Sequence, residues 1–363
     1  MTCGSRPGAA GGVAAGRYAR TVNVLVVGGA GYIGGSLVDA LAAEEHDVRV
    51  FDVLLYEDHY LKEVDFVHGN VLDRPALSPH LEWADAVVWL AAMVGDGACA
   101  LDADLTRAIN VESVRWLADT FDGRIVFMST CSVYGAQDGL LTEDSALNPL
   151  SLYAETKAEA EEALRERDAI IFRLGTIYGV SDTYSRIRMD LVLNLLTVKA
   201  MLHGRISVFG GDQYRPLLHV RDVAHAVVPT LFSEHRGVFN LESENVTIRN
   251  LAERIAAFYP DVELSFTDLP FQDLRNYRVS SAKARDAFGF SPQLTVEDGI
   301  RQIALVVADG RVRDTSAPRY SNIDFLRPLL VPERSPLGRE IIVPHRFRTR
   351  PHASGSRIGA HAT

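Results

Sequence analysis

Tyr153 and Lys157 stand four residues apart in the segment SLYAETKAEAEEAL, which we interpret as a helix. At that spacing both side chains lie on one helix face. A phenol ordinarily loses its proton at about pH 10, and a neighbouring ammonium lowers that pKa by stabilising the phenolate. The pair is therefore a candidate general base, with Tyr153 taking the proton and Lys157 supporting it electrostatically.

The segment STCSVYG, residues 129–135, strengthens this interpretation. It follows the apolar run RIVFM, so it lies where a buried strand ends. Thr130 within it supplies a hydroxyl that can hydrogen-bond the same substrate oxygen and relay its proton. The spacing Y-x-x-x-K alone is also common on solvated helices, so the prediction rests on the combination.

A glycine-rich segment near the amino terminus points to a dinucleotide. Gly28, Gly31 and Gly34 follow the apolar run VNVLVV and precede a helical pattern. Glycines there let the backbone turn sharply and approach a pyrophosphate at the helix N-terminus. Asp52 ends the next predicted strand, where an acid accepts hydrogen bonds from a ribose diol. The nearest following base, Lys62, is ten residues on, which favours NAD over NADP; a nucleotide-free glycine turn is the alternative.

The elements that position these residues alternate between strand and helix up to about residue 180. Such alternation predicts an α/β fold with a parallel sheet covered by helices on both faces. After residue 180 the pattern loosens, which indicates a smaller lobe. The first twenty residues and the basic segment 321–363 are predicted to be mostly disordered tails, with REIIV in the latter packing locally.

Bulk properties exclude several classes of function. The 363 residues carry a formal net charge of −10, which argues against nucleic acid as a partner. No apolar stretch reaches the roughly 20 residues of a membrane helix. Cys3, Cys99 and Cys131 have no metal-ligand spacing, so no metal site is expected, and their odd number is typical of reduced thiols in a cytoplasmic protein.

Taken together, these motifs resemble a known family. The glycine loop, Asp52, LAA, INVES, STCSVYG, YAETK, GTIYG and RPLLHVRDVA occur in the order seen in extended short-chain dehydrogenases/reductases that act on nucleotide sugars, over about residues 22–310. The resemblance implies a seven-stranded, doubly wound Rossmann-type sheet over residues 21–180, to which segments near 216–245 return. It also implies a sugar-nucleotide lobe over 181–320, and homodimers formed through the helices of 105–120 and 151–167.

The resemblance also assigns residues to roles. Catalysis falls to Tyr153, Lys157 and Thr130. Asn70 stands where relatives have Asp, but an amide can still pair with adenine, and Asn110 matches an Asn that props the active-site backbone. The implied cofactor-binding residues are Gly28, Gly31, Tyr32, Ile33, Gly34, Asp52, Asn70, Val71, Ala91, Ala92, Asn110, Tyr153 and Lys157.

A nucleotide-diphosphate sugar is the implied substrate. Arg215 and Arg275 are predicted to bind its phosphates. Thr176 stands where many relatives have Asn. Asp96, the one charged residue of MVGDGACA, either holds a sugar hydroxyl or caps the following helix. Cys131 and Ser132 are also expected to contact substrate.

The positions of Cys131 and Ser132 bear on the reaction. Dehydratases of the family carry an Asp–Glu pair there, directly after the catalytic Thr, and its absence favours epimerisation at C4. Cys131 is either an acid/base or a small wall residue. A net oxidoreductase, a dehydratase variant or a non-catalytic dinucleotide sensor remain alternatives on the same fold.

Overall fold

Fourteen strands lie within the residues that the computed structural model describes, 21–267 and 275–331. In chain order they are β1 (Asn23–Val27), β2 (Asp47–Asp52), β3 (Asp65–His68), β4 (Ala86–Trp89), β5 (Arg124–Thr130), β6 (Ala136–Leu141), β7 (Ala169–Leu174), β8 (Thr176–Tyr178), β9 (Arg205–Phe209), β10 (Tyr214–His219), β11 (Gly237–Leu241), β12 (Glu244–Thr247), β13 (Glu263–Thr267) and β14 (Asn276–Val279).

Twelve α-helices accompany these strands in the same described ranges. They are α1 (Gly34–Ala43), α2 (Arg74–Trp83), α3 (Asp96–Cys99), α4 (Ala103–Arg107), α5 (Ser113–Thr120), α6 (Leu152–Ala163), α7 (Val192–His203), α8 (Val220–Thr230), α9 (Ile248–Ala256), α10 (Ala282–Phe288), α11 (Val296–Ala308) and α12 (Asn322–Leu330). A π-helical stretch (Ala108–Glu112) joins α4 to α5, and short 3₁₀ turns span Cys131–Tyr134 and Pro318–Tyr320. None of the described helices is long and apolar enough to span a bilayer.

Seven strands form one parallel sheet in the order β11-β7-β5-β4-β1-β2-β3. Successive side chains of a strand point to opposite faces, and both faces of this sheet are covered. In β1, Val24 and Val26 pack with α1 and α8, whereas Leu25 and Val27 pack with α2, α5 and α6. This explains the uninterrupted apolar run of β1, and it confirms the predicted doubly wound α/β fold.

The strand order reverses at β1. From β1 the chain proceeds to β2 and β3 on one side, then crosses back to β4, β5, β7 and β11 on the other. At such a switch point the loops after neighbouring strands diverge and leave a crevice at the carboxyl edge. The loops after β1, β2 and β4 all open at this edge, so they are positioned to hold one ligand.

A smaller lobe has its own apolar core. Leu193 of α7, Leu251 of α9 and Ile300 of α11 pack with Tyr178 and Ile206. Three small sheets accompany it: β12-β10-β8, β13-β9 and β14-β6. Part of the segment 181–320 belongs to the large domain and not to this lobe, because α8 packs on α1 and β11 joins the large sheet.

The carboxyl-terminal prediction needs correction, because α12 lies inside the segment expected to be a tail. The Ser321 side chain caps this helix by accepting a hydrogen bond from the Asp324 amide, at 3.3 Å. Leu326 is buried, and the Phe325 ring lies 4.8 Å from that of Tyr56. Burial of these apolar side chains outweighs the polar composition around them. The predicted tails at 1–20 and 332–363, with REIIV, lie outside the described residues.

Candidate active site

A cavity of about 740 Å³ opens at the switch point. One wall is built by the residues that follow β1, β2 and β4 and by the end of β5; α7 and β9 of the smaller lobe supply the other. The sequence placed its candidate cofactor and substrate residues on these separate elements. Folding brings most of them to one surface.

The glycine loop lines the cavity through Gly28, Gly31, Tyr32 and Ile33. Gly28 has φ +87°, and a Cβ there would lie 2.5 Å from the Ala91 amide nitrogen, so only glycine fits. Gly34 does not reach the cavity. Its Cβ would lie 2.1 Å from the Gly29 carbonyl oxygen, so this glycine allows α1 to pack closely on the loop.

Asp52 is held at the carboxyl end of β2 by backbone amides. Its two carboxylate oxygens accept hydrogen bonds from Ala30 N at 3.0 Å and Leu54 N at 2.7 Å. Burial raises the pKa of this carboxyl, and those amides oppose the rise. Asn70 and Val71 line the cavity close by, and the Asn70 side chain accepts from Leu72 N at 3.0 Å. The acid of Asp52, the amide of Asn70 and the apolar side chain of Val71 together form a surface that fits an adenosine.

Ala91 and Ala92 line the cavity, as predicted for residues along a cofactor. Asn110, predicted to bind cofactor, is instead buried behind this wall. Its amide accepts from Met93 N at 2.8 Å and donates to the Met93 carbonyl at 3.0 Å, with a third bond to Thr156 at 3.2 Å. Asn110 therefore shapes the wall and does not touch what the cavity holds.

The three catalytic candidates share the cavity. Thr130, Tyr153 and Lys157 all line it. Lys157 is buried, donates to the Met128 carbonyl at 2.7 Å and lies 4.5 Å from the Phe127 ring centroid. Thr130 donates to the Ser132 hydroxyl at 3.1 Å and accepts from the Ser132 amide at 3.1 Å. Strand β5 and helix α6, which are distant in sequence, thus supply one set of proton-transfer groups.

The protonation behaviour of the pair differs from the expectation of a lowered phenol pKa. Burial raises the pKa of Tyr153 well above its ordinary value, and Arg188 opposes the rise. Burial also lowers the pKa of Lys157, to about 8. Both groups are disfavoured in their charged forms because the cavity wall removes water from them. The positive charge of a bound oxidised nicotinamide would favour the phenolate.

The prediction that Cys131 contacts substrate needs correction, because Cys131 does not line the cavity. Its thiol is buried, points at the Arg173 carbonyl at 3.2 Å and packs with Tyr134, Leu141 and Val279. Burial raises the pKa of this thiol well above its ordinary value, so it is no acid/base at neutral pH. Thr130, the last residue of β5, lines the cavity, whereas the 3₁₀ turn that begins at Cys131 directs the thiol into the core.

Ser132, which was predicted to contact substrate, lines the cavity. Its hydroxyl lies 3.3 Å from the Tyr277 hydroxyl and accepts from Arg275 Nη1 at 3.4 Å. Thr176 and Arg215 also line the cavity, and Arg215 is buried. These groups form a polar surface of two arginines and three hydroxyls, which suits an anionic sugar nucleotide.

Asp96 is not the helix cap that one interpretation proposed, because Gly95 takes the N-cap position of α3. One oxygen of Asp96 accepts from the Ser151 hydroxyl at 2.6 Å, and the other lies 3.5 Å from Arg275 Nη1. Asp96 lines the cavity, so it remains available to a sugar hydroxyl.

Sequence reasoning missed several residues of the cavity wall. Arg186, Arg188 and Asp190 come from the loop before α7, and Asn322 and Ile323 from α12. Arg188 is paired with Asp190 through two hydrogen bonds of 2.9 Å. The only sequence signal was the charged segment RIRMD, which is indistinguishable from a solvated loop until the fold is known.

The chain is similar to known proteins over most of its length. The model of the NAD dependent epimerase/dehydratase family matches residues 24–241. The dTDP-glucose 4,6-dehydratase of Streptomyces niveus is 27% identical over 322 residues, covering 80% of this chain and 94% of the relative. The UDP-glucose 4-epimerase of Lactobacillus helveticus is 28% identical over 319 residues, covering 75% and 92%.

A solved structure matches over the same extent. MoeE5 in complex with UDP-glucuronic acid and NAD has a TM-score of 0.67 at 25% identity, covering 79% of this chain and 99% of that one. A dehydratase and an epimerase match at nearly equal identity, so likeness alone does not choose between these reactions.

Proposed function

This chain belongs to the NAD-dependent epimerase/dehydratase family of nucleotide-sugar enzymes, and from that premise we propose that it is a nucleotide-sugar 4-epimerase. One observation carries the choice of reaction. Directly after the catalytic Thr130, Cys131 faces the protein core and Ser132 faces the cavity, so no carboxylate stands there. Dehydratases of the family that the chain resembles carry an Asp–Glu pair at that place as the acid and base for loss of water, whereas epimerisation needs no such pair.

The residues divide the work of one half-reaction. Tyr153 takes the proton of the sugar's 4-hydroxyl, and Thr130 donates a hydrogen bond to the same oxygen. Lys157 supplies the positive charge that favours the phenolate. When bound, NAD supplies a reversible hydride acceptor for C4. Tyr153 then returns its proton to the oxygen after the keto sugar has turned its other face, so the net change is inversion of one carbon.

The cavity fits both ligands that this reaction needs. Gly28 and Gly31 line the cavity where the glycine loop would hold a pyrophosphate, and Asp52 lines it at the end of β2, where it would accept hydrogen bonds from a ribose diol. Arg215 and Arg275 line the opposite wall, where they favour a nucleotide diphosphate. Asp96 and Ser132 line the cavity and each contacts Arg275, so they are partners for sugar hydroxyls.

A substrate panel tests the proposal. Purified protein is incubated with UDP-, GDP-, dTDP- and CDP-sugars, and product mass, configuration and released NADH are followed. Epimerisation predicts an unchanged mass with one inverted carbon and no net NADH. Loss of the mass of water, or NADH equal to the product formed, overturns the proposal in favour of a dehydratase or a net oxidoreductase.

Tyr153→Phe is expected to lower kcat by at least about 10²-fold, because it removes the proton acceptor. Tyr184→Phe is the matched control, since this tyrosine is 59% exposed and does not line the cavity. Turnover that survives in Tyr153→Phe would show that another group is the base.

A further inference from the structure

Arg186 is a buried cation with an unused donor. It is 5% exposed and lines the cavity. Its Nε donates to the Arg319 carbonyl at 3.0 Å and its Nη1 to Asn322 Oδ1 at 2.5 Å. Nη2 is buried and meets no hydrogen-bond acceptor among the described residues. A buried charge left this way is costly unless a ligand completes it.

No described carboxylate forms a salt bridge with Arg186. Burial lowers the pKa of this guanidinium to about 10, so it stays protonated at neutral pH. The neighbouring Arg188 differs, because Asp190 already neutralises it with two hydrogen bonds of 2.9 Å. Of the two arginines, only Arg186 has no carboxylate in direct contact, since Asp190 and Glu57 act on it from a longer distance, and its charge favours an anion in the cavity.

The contacts of Arg186 place it on the cofactor side of the cavity. Its guanidinium stacks 3.4 Å from the centroid of Tyr56, which follows β2. Its partner Asn322 donates to the Val94 carbonyl, at 2.8 Å, in the loop after β4. The glycine loop follows β1, the strand between those two. Arg186 and Asn322 therefore connect the loops on either side of the glycine loop.

The sugar side has its own charged groups. Arg188, Arg275 and Asp96 act on the pKa of Tyr153, and Arg186 is not among the groups that do; Arg186 acts on the pKa of Tyr56, together with Arg188. The anion nearest the glycine loop in a dinucleotide is the pyrophosphate that joins its two nucleosides. We propose that Arg186 is a cofactor-binding residue whose Nη2 donates to a pyrophosphate oxygen of NAD, and that Asn322 positions it.

The proposal gives α12 a role in holding cofactor. Asn322 also donates its backbone amide to Asp190 at 2.9 Å, Ile323 lines the cavity, and Phe325 packs on Tyr56. These contacts hold Arg186 in a fixed geometry, which lowers the entropic cost of binding the pyrophosphate. An enzyme that returns its hydride to the same sugar benefits from a cofactor that stays bound between turnovers.

Calorimetric binding to nucleotide-free, full-length protein tests this without any sugar reaction. NAD and ADP-ribose contain the pyrophosphate, and adenosine does not. Arg186→Met is expected to weaken NAD and ADP-ribose alike by about tenfold or more, and to change adenosine binding by less than about twofold. Arg186→Lys should recover part of the loss, because it keeps the charge, and Asn322→Ala should show a smaller loss.

Arg249→Met is the matched control, because Arg249 stacks on Phe266 at 4.1 Å but lies outside the cavity. Its NAD affinity should equal that of the parent. The proposal is overturned if folded Arg186→Met binds NAD with unchanged affinity. It is overturned in the same way if the variant binds only an acidic sugar nucleotide less well. An equal loss for adenosine also overturns it, because the wall and not the phosphate contact would then be responsible. If Arg186→Met does not fold, Arg186→Lys and Asn322→Ala carry the same comparisons.

Discussion

Lys157 is a buried ammonium that makes two local contacts and no salt bridge with a described carboxylate. Its pKa is about 8 in the folded protein, against an ordinary value of 10.5. The folded state therefore binds this proton less tightly than the unfolded chain does. The sign follows from linkage: the group opposes folding below pH 8, and stability rises as pH increases from about 8 towards 10.5. In our proposal, catalysis uses the positive charge of Lys157, although that charge destabilises the folded protein.

Lys157→Met is accordingly expected to raise Tm at pH 7, to flatten the rise of stability between pH 8 and 10.5, and to lower kcat by about 10²-fold or more. Scanning calorimetry across pH measures the first two effects. Lys283→Met is the control, since Lys283 donates to a carbonyl at 2.7 Å and lies 4.7 Å from Phe239, but is exposed. A markedly lower Tm for Lys157→Met at pH 7 would contradict the expectation.

Cys131 and Ser132 are neighbours with opposite surroundings, and substitution should separate them. Cys131→Ala is expected to cost about 1–2 kcal/mol of unfolding free energy, because it leaves a small cavity in the core, with kcat/KM unchanged. Ser132→Ala is expected to lower kcat/KM by about tenfold at little cost in stability, because it removes a hydroxyl from the cavity. Denaturant unfolding and steady-state kinetics of both variants measure this. If the thiol were catalytic, Cys131→Ala would lower kcat/KM and Ser132→Ala would leave it unchanged.

At the scale of elements, the π-helical stretch Ala108–Glu112 turns Asn110 towards the loop after β4. Single π turns often occur at functional sites, where they re-aim a side chain. Here the re-aimed amide satisfies both backbone groups of Met93, a residue of the cavity wall. The shape of that wall therefore depends on a helix irregularity on the far side of the loop.

Asn110→Leu is expected to destabilise the protein by about 2 kcal/mol or more, because the Met93 amide and carbonyl lose their buried partner. Activity should fall as well, since Met93 borders the cavity. Thr156→Val is the matched control: it removes the 3.2 Å bond from the same amide and the 2.9 Å bond to the Tyr153 carbonyl, but it leaves both backbone groups of Met93 paired with Asn110 and should cost less. Equal unfolding free energies for the two variants, measured in urea, would show that Asn110 does not hold this wall.

At the scale of the whole molecule, the prediction of a homodimer remains to be tested. The helices expected at its interface, in 105–120 and 151–167, lie together in the structure, where Glu159 of α6 contacts Arg107 at 2.6 Å and Arg115 at 3.5 Å. Sedimentation velocity should give twice the 39.8 kDa chain mass. Glu159→Arg should shift the protein towards monomer by adding a third positive charge there, whereas Glu253→Arg, exposed on α9, should not.

Much of this protein is determined by local sequence. The apolar run of β1, the glycines after it and the acid that ends β2 each follow from backbone geometry within a few residues. These features, with the alternation of strands and helices, sufficed for the fold class and for NAD; the segments STCSVYG and SLYAETK and the family resemblance indicated Tyr153, Lys157 and Thr130, and the structure places all three on the cavity wall. The absence of carboxylates after Thr130 is likewise visible in the chain, and it indicated the direction of the proposed reaction.

Other features were decided only by tertiary structure, because they depend on which way a side chain faces and on what arrives from elsewhere. Cys131 and Ser132 are adjacent and similar in size, yet one faces the core and the other the cavity. Asn110 and Gly34 support the site without reaching it. Arg186 and α12 are joined across more than a hundred residues of sequence, and only the fold leaves that arginine buried at the cavity wall with one donor that has no described acceptor.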